Sequence, residues 1–307
     1  MKERKFYFTL AVLLLSLLVT PSVFCQDSEE ESEPMPPARE LSGEEFITRD
    51  GVRLYGTYYA STRGKEAVPV MLIQDWNEDR RSLQPLAQEL QQAGCAVVTL
   101  DVRGQGESIK IVNKDGREQK LDKLRVTAKV AEFMVKEDIE IFKRFLNRQN
   151  DVGALNVQKL CIVGVGTMGS YLATAYATSD LSWGIQGSDV KMLCLISPRM
   201  RNGVLPYKNA LSPLLREVTV CVWFGKDDAS TTQDCKQIVK MYSAQRPGEN
   251  NIEDAKDKTL FSSGQDTKLQ GLKLLGMEDR KLETQMKKVI VFKLQKKEIF
   301  WKQKVKE

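Results

Sequence analysis

Five unbroken apolar stretches limit what this chain can fold into: "VPVMLIQ" (residues 68–74), "AVVTL" (96–100), "LCIVG" (160–164), "VKMLCLIS" (190–197) and "VTVCVWFG" (218–225). Each has the length of a strand and lacks polar alternation, the pattern of strands covered on both faces. Helical spacing falls between or after them, at residues 83–94, 130–147, 169–177 and 233–244. Strands alternating with helices predict an α/β fold, a mostly parallel sheet of about eight strands with helices on both faces. A hairpin is expected about Asp50-Gly51 in "EFITRDGVRLYGTYYAS", and "KTLFSSG" reads as a last, weaker strand. Residues 110–129, polar and lysine-rich, read as an exposed loop.

The ends differ from the middle. Lys2, Arg4 and Lys5 precede an apolar run at residues 6–19, and "TPSVFC" follows, so residues 1–25 read as a signal peptide cut after Cys25. The 14-residue run is shorter than the roughly 20 a membrane-spanning helix needs. Residues 26–44 are acidic and proline-bearing and read as a disordered leader. An α/β domain is expected at 45–278, and 279–307 as a basic helical tail, in which residues 281–307 carry nine lysines against three acids. The tail reads as a solvated helix face, with membrane contact the less favoured reading. It lacks an arginine-rich or aromatic-interleaved pattern, so no nucleic-acid partner is expected. Export is the expected fate, periplasmic or secreted. Cys95, Cys161, Cys194 and Cys221 sit in or beside apolar runs and read as buried fillers. No CxxC spacing occurs, so no metal is expected.

"VVTLDVRGQGES" (residues 97–108) resembles the loop after the fourth strand of α/β-hydrolase-fold proteins, Asp-x-Arg-Gly-x-Gly-x-Ser. Asp101, Arg103, Gly104, Gly106 and Ser108 match it. "CIVGVGTMGSYLA" (161–173) resembles the strand–turn–helix elbow of that superfamily, and "VCVWFGKDDAS" (220–230) its triad-acid turn. "DLSWGIQGSDVKMLCLISP" and "TLFSSGQDTKLQGLKLL" resemble stretches in an exported bacterial α/β-hydrolase-like group. The resemblance implies the hydrolase fold, and it implies a triad that can be checked residue by residue.

A serine hydrolase of this fold needs a nucleophile, a histidine base, an orienting acid and an oxyanion hole. Counting from Gly164 puts Gly166 at the nucleophile position; the alternative register, ending at Gly169, puts Thr167 there. Neither supplies a serine, and Ser170 lies further into the helix. The chain has no histidine, and a hydroxyl is a poor nucleophile at neutral pH without a base. Asp266 and Thr267 lie nearest the histidine position. Lys226 or Lys268 as a base would need burial, and both have acidic neighbours. Asp228, or Asp227 beside it, holds the acid position and reads as a helix cap. The oxyanion loop, usually His-Gly, reads Gln74-Asp75, and Arg80 and Arg81 are available to pair with Asp75, Glu78 and Asp79. Residues 164–169 also fit Gly-x-Gly-x-x-Gly, with Asp189 downstream, but on the fifth strand and with the acid misplaced, so no cofactor is expected. The expected function is therefore an exported hydrolase-fold protein without serine-hydrolase activity, binding an unknown small molecule or protein or serving as a scaffold. The alternative is a hydrolase working through Thr167 or carboxylates such as Asp228 and Asp75. A pocket filled by Met168, Trp76 or Trp183 would point to the scaffold.

Overall fold

The computed structural model describes residues 34–121, 127–183, 188–200, 205–246 and 259–304. The signal-peptide segment and residues 26–33 of the leader lie outside the described residues. The main sheet holds β1 (Arg39–Leu41), β3 (Tyr55–Tyr59), β4 (Val68–Ile73), β5 (Cys95–Asp101), β8 (Leu160–Val165), β9 (Val190–Ile196), β10 (Thr219–Gly225) and β11 (Leu260–Gln265). Its order is β1-β3-β5-β4-β8-β9-β10-β11. The strands from β5 to β11 are mutually parallel. β3 is antiparallel to β5 and β1 to β3.

The apolar runs behave as their lack of alternation predicts. In β4, Val68, Val70 and Leu72 join the core on one face, while Met71 and Ile73 join the core on the other. In β9, Met192, Cys194 and Ile196 face one way and Leu193 and Leu195 the other. The helices Gln84–Gln92 and Lys281–Ile290 supply Leu86, Leu90, Leu282 and Met286 to the first face. The helices Glu140–Asp151, Gly166–Trp183 and Ala229–Gln245 supply Phe142, Tyr176 and Ile238 to the second. Cys161 and Cys194 lie on neighbouring strands with their sulfurs 3.9 Å apart, and all five described cysteines are free and buried.

Four expectations change. Arg39–Leu41, placed in the disordered leader, form edge strand β1, with Leu41 buried and the Arg39 guanidinium over Tyr58 and Phe145. Charge and proline density hid a three-residue strand whose stability comes from its neighbour. The hairpin keeps its Asp50-Gly51 turn, but its first arm reduces to a bridge between Ile47 and Arg53, and the Tyr55–Tyr59 arm pairs with β1 and β5 instead. The 110–129 stretch, expected as an exposed loop, supplies β6 (Lys110–Val112) and β7 (Glu118–Lys120), which join β2 (Val52–Arg53) in a small antiparallel sheet. Its charges pair across strands, Glu118 receiving Arg53 and Lys110, so polarity does not exclude strand here. The tail is part of the domain. Leu282, Met286, Ile290 and Leu294 recur every four residues and are all buried, leaving Lys288 outward. The chain then returns across the fold, where the Ile299 and Lys302 carbonyls accept from Asn156 and Asn150.

Candidate functional site

β4 is followed in the chain by β5 on one side and in the sheet by β8 on the other. The crevice at such a reversal, beyond the carboxyl ends of the strands, is where open α/β sheets bind ligands. The Gln74-Asp75 loop and the elbow meet there.

β8 passes directly into the Gly166–Trp183 helix, and Gly166 has φ 67°. That left-handed conformation, which favours glycine, selects Gly166 over Thr167 as the sharp position. A Cβ at Gly164 would meet the Gly169 and Ser170 backbone, and a Cβ at Gly169 would meet the Ile73 and Gln74 carbonyls. The two closely packed glycines are five residues apart, one more than in Gly-x-Ser-x-Gly, which explains why neither register fitted the sequence. Ser170 Oγ donates to the Gly164 carbonyl at 3.1 Å and is buried away from the crevice.

Asp75 occupies the ground a hydrolase would use. Its Oδ1 accepts from the Trp76 N–H at 2.9 Å and the Met168 N–H at 2.8 Å. A Cβ built at Gly166 would run into the same carboxylate, Oδ2 first. Backbone amides from this loop and from the residues after the elbow are the donors of an oxyanion hole; here they hold a resident carboxylate, which the helix N-terminus also favours. Glu78 Oε2 accepts from the Asp75 N–H at 3.3 Å. Burial first, then the Asp75 and Asp79 charges, raises the Glu78 pKa against that hydrogen bond.

The remaining triad positions do not converge. Asp228 caps the Ala229–Gln245 helix, accepting from the Thr231 N–H at 3.0 Å and the Ser230 hydroxyl at 2.9 Å. Slight burial works upward on its pKa, but those hydrogen bonds outweigh it and leave it lowered. Asp266 pairs with Lys226 at 3.0 Å on the surface, and Lys268 is exposed, without the burial a lysine base requires. The crevice itself is a pocket of about 400 Å³ lined by Asp75, Glu78, Gly166, Thr167, Ser197 and residues 268–273. Asp228, Asp266, Met168 and Trp76 are not among its lining residues, and the Trp183 side chain lies outside the described residues. Ser197 escaped the sequence reading. It ends the β9 run with φ 51° and its Oγ accepts from the Gly271 N–H at 3.0 Å, tying the strand to the 268–273 segment. Its only signal was a polar residue closing "VKMLCLIS".

The loop after β5 is fully wired. The Asp101 carboxylate, inaccessible to solvent, accepts from the Arg80 N–H at 2.7 Å, the Arg80 guanidinium at 2.5 Å and the Glu107 N–H at 3.2 Å. Arg80, buried, also pairs with Glu107 and Glu40, and Arg81 with Glu107. The expected pairing of these arginines with the acidic mouth does not form: Asp101 lies in the interior and holds Arg80 there. Asp79 instead caps the turn that follows, accepting from the Arg81 and Ser82 N–H groups. A Cβ at Gly106 (φ 50°) would strike Asp101. The Gly104 N–H donates to the Ser108 carbonyl, and Ser108 Oγ donates to the Asp101 carbonyl. Arg103 forks onto Asp138 at 2.7 and 3.0 Å and reaches Asp50 at 2.5 Å. Burial works against the Arg103 charge, but Asp138 and Asp50 outweigh it and hold its pKa up. Asp138 lies on a π-helical turn, Met134–Ile139, inside one continuous helix. Gln74, buried, points its Nε2 toward Asp101 at 3.4 Å, while its Oε1 has no partner among the described residues. Among those residues no group of three His, Cys, Asp or Glu side chains is placed to hold a metal ion.

No family model matches the sequence, and no curated protein compared with it matches. Solved structures do. An esterase from Pyrococcus furiosus aligns at TM-score 0.59 and 11% identity, over 84% of this chain and 93% of its own. A dienelactone hydrolase from Anabaena variabilis aligns at 0.55 and 14%, over 85% and 100%. A hyperthermophilic esterase from Pyrobaculum calidifontis aligns at 0.56 and 13%, over 84% and 86%. With the parallel sheet and the elbow, these likenesses define the class: the chain has an α/β-hydrolase fold. Identities this low carry the fold alone.

Proposed function

We propose that this chain is an exported, non-hydrolytic α/β-hydrolase-fold protein whose crevice binds a small polar ligand. The observation that carries the reading is the Asp75 carboxylate, hydrogen-bonded to Trp76 and Met168 N–H where an oxyanion would sit and filling the space beside Gly166. A substrate carbonyl would have to displace a charge-assisted contact before any chemistry began. The lack of histidine supports the same conclusion. The pocket is lined by groups of both charge signs, Asp75 and Glu78 against Lys268 and Lys273, with the Thr167 and Ser197 side chains between. That lining favours ligand binding over a filled scaffold. Export rests on the basic start and apolar run at residues 1–25. No helix among the described residues is long and apolar enough to cross a membrane.

The alternative, a hydrolase using Thr167 and carboxylates, keeps Thr167 and Asp75 at one pocket but loses Asp228 to its helix cap. Hydrolysis of p-nitrophenyl acetate by the full chain should equal that of the Thr167→Ala/Asp228→Asn variant. A rate more than about tenfold above that variant overturns the proposal, since one catalytic group contributes at least that much. A thermal-shift screen of amino acids, sugars and organic acids should raise the melting temperature with at least one compound. Thr167→Trp should abolish that shift. A shift that persists in Thr167→Trp places binding elsewhere.

A further inference from the structure

The crevice above Gly166 holds both signs of charge without pairing them. Asp75, Glu78, Lys268 and Lys273 all line it. None of the four makes an ion pair among the described residues, and none has a further charged partner. Acids and ammonium groups therefore share one cavity of about 400 Å³ with the space between them left to a ligand. We propose that this ligand is a free α-amino acid, bound as its zwitterion with a side-chain amide reaching past Glu78. The assignment rests on the crevice being a ligand site, as proposed above.

The ammonium end is set by the acids. Asp75 gives only its Oδ1 to the Trp76 and Met168 N–H groups, leaving Oδ2, beside Gly166, as an acceptor. The carboxylate that shuts out an oxyanion thus turns the same place toward a cation. Glu78 adds a second carboxylate, and a cation beside the two relieves the repulsion between them. The carboxylate end is set by Lys268 and Lys273, compact charges with three donors each, and by Ser197. Ser197 is 2% exposed, and its Oγ accepts from the Gly271 N–H. Its own hydroxyl proton has no acceptor among the described residues, so it is available to a ligand oxygen. The side-chain end lies beyond Glu78, which also lines a second cavity of about 450 Å³ with Asp79 and Gln105. Gln105 is 4% exposed, and its Oε1 accepts from the Asn77 N–H at 2.9 Å. That bond fixes the amide and leaves Nε2 without a partner among the described residues. Asp79 makes no ion pair there either. A ligand amide meets both demands, accepting from Gln105 and donating to Asp79. A carboxylate side chain would face Glu78 and Asp79 with no cation among the described lining residues.

The test is calorimetric titration of the full chain with L-glutamine, which should bind, and with analogues that each lack one group. 4-Carbamoylbutanoate lacks the ammonium and 4-aminobutanamide the carboxylate; each should bind at least about tenfold more weakly, having lost a charge-assisted contact. 2-Aminobutanoate lacks the amide, and glutamate replaces it with a charge; both should be at least about threefold weaker than glutamine. The variants cross with the analogues. Glu78→Gln should weaken glutamine about tenfold and leave 4-carbamoylbutanoate within about twofold, because the lost partner is already missing from that analogue. Lys268→Gln/Lys273→Gln should weaken glutamine about tenfold and leave 4-aminobutanamide within about twofold. Lys288→Gln/Lys296→Gln removes equal charge outside the crevice and should leave glutamine within about twofold. No binding of glutamine overturns the proposal. So does any analogue that matches glutamine, or equal loss in the two lysine pairs, which would mean diffuse charge. If glutamine fails while a sugar or organic acid gives a thermal shift that Thr167→Trp abolishes, the zwitterion falls and the crevice stands as a binding site. If no compound gives such a shift, both readings fall.

Discussion

The loop after β5 and the elbow after β8 follow the two strands that flank β4 and have been treated in opposite ways. In the first, every matched motif residue has a partner: Asp101 with Arg80, Arg103 with Asp138 and Asp50, Ser108 with the Asp101 carbonyl. In the second, the residue that would act is a glycine, and a neighbouring carboxylate lies where a nucleophile and an oxyanion would be. The contrast separates two uses of one motif set. The β5 loop is held by buried charge pairs that cannot be lost singly without leaving an unpaired ion inside. The elbow needs only a tight turn and a capped helix, and Asp75 provides the cap.

The comparison breaks first at Arg103. Arg103→Ala leaves the buried Asp138 unpaired and should cost about 3–5 kcal/mol in urea unfolding; Arg103→Lys, which loses the fork onto Asp138, should rescue little. A loss below about 1 kcal/mol would show that the wiring is ornamental. Next is Gly166→Ser, which places a side chain at positive φ against Asp75 and should cost about 2–4 kcal/mol. In the Asp75→Ala background the same change should cost at least about 1 kcal/mol less, a coupling that a double-mutant cycle reads directly. Additive costs would mean that Asp75 does not fill the nucleophile's space. Asp75→Ala alone should cost about 1–2 kcal/mol through the lost cap. The smallest effect is Asp228→Ala, about 1 kcal/mol at pH 7, with Asp228→Asn near neutral. Because the folded-state pKa of Asp228 is lowered, its charge contributes above the unfolded carboxylate value and is lost as pH falls through the folded one. The gap between native protein and Asp228→Ala should therefore narrow below about pH 4; a gap that widens there would contradict the capping role.

Much of this was legible in the residues. Unbroken runs such as "VKMLCLIS" report burial on both faces directly, and the absence of histidine needs no coordinates. Asp228 as a cap followed from its place just before a helix. What stayed hidden depends on distance in the chain. Arg80 adjoins the acids of the mouth in sequence, yet folds onto Asp101, 21 residues away. Asp138 reads as one more charge on an amphipathic helix; its burial follows from a π turn that no residue announces. Residues 39–41 form a strand through a neighbour's backbone, which side-chain pattern does not encode. Ser197 meets Gly271 across 74 residues.

The place of Asp75 also gives the molecule a direction in sequence space. A serine at residue 166 is strained while that carboxylate remains, a histidine has nothing to activate until the serine exists, and removing the carboxylate first uncaps a helix with no catalytic return. Each step toward hydrolysis is costly or idle until the others are taken, and the order is not free. On the non-hydrolytic reading proposed above, the elbow works as a ratchet: one carboxylate makes any path to serine catalysis uphill from its first substitution.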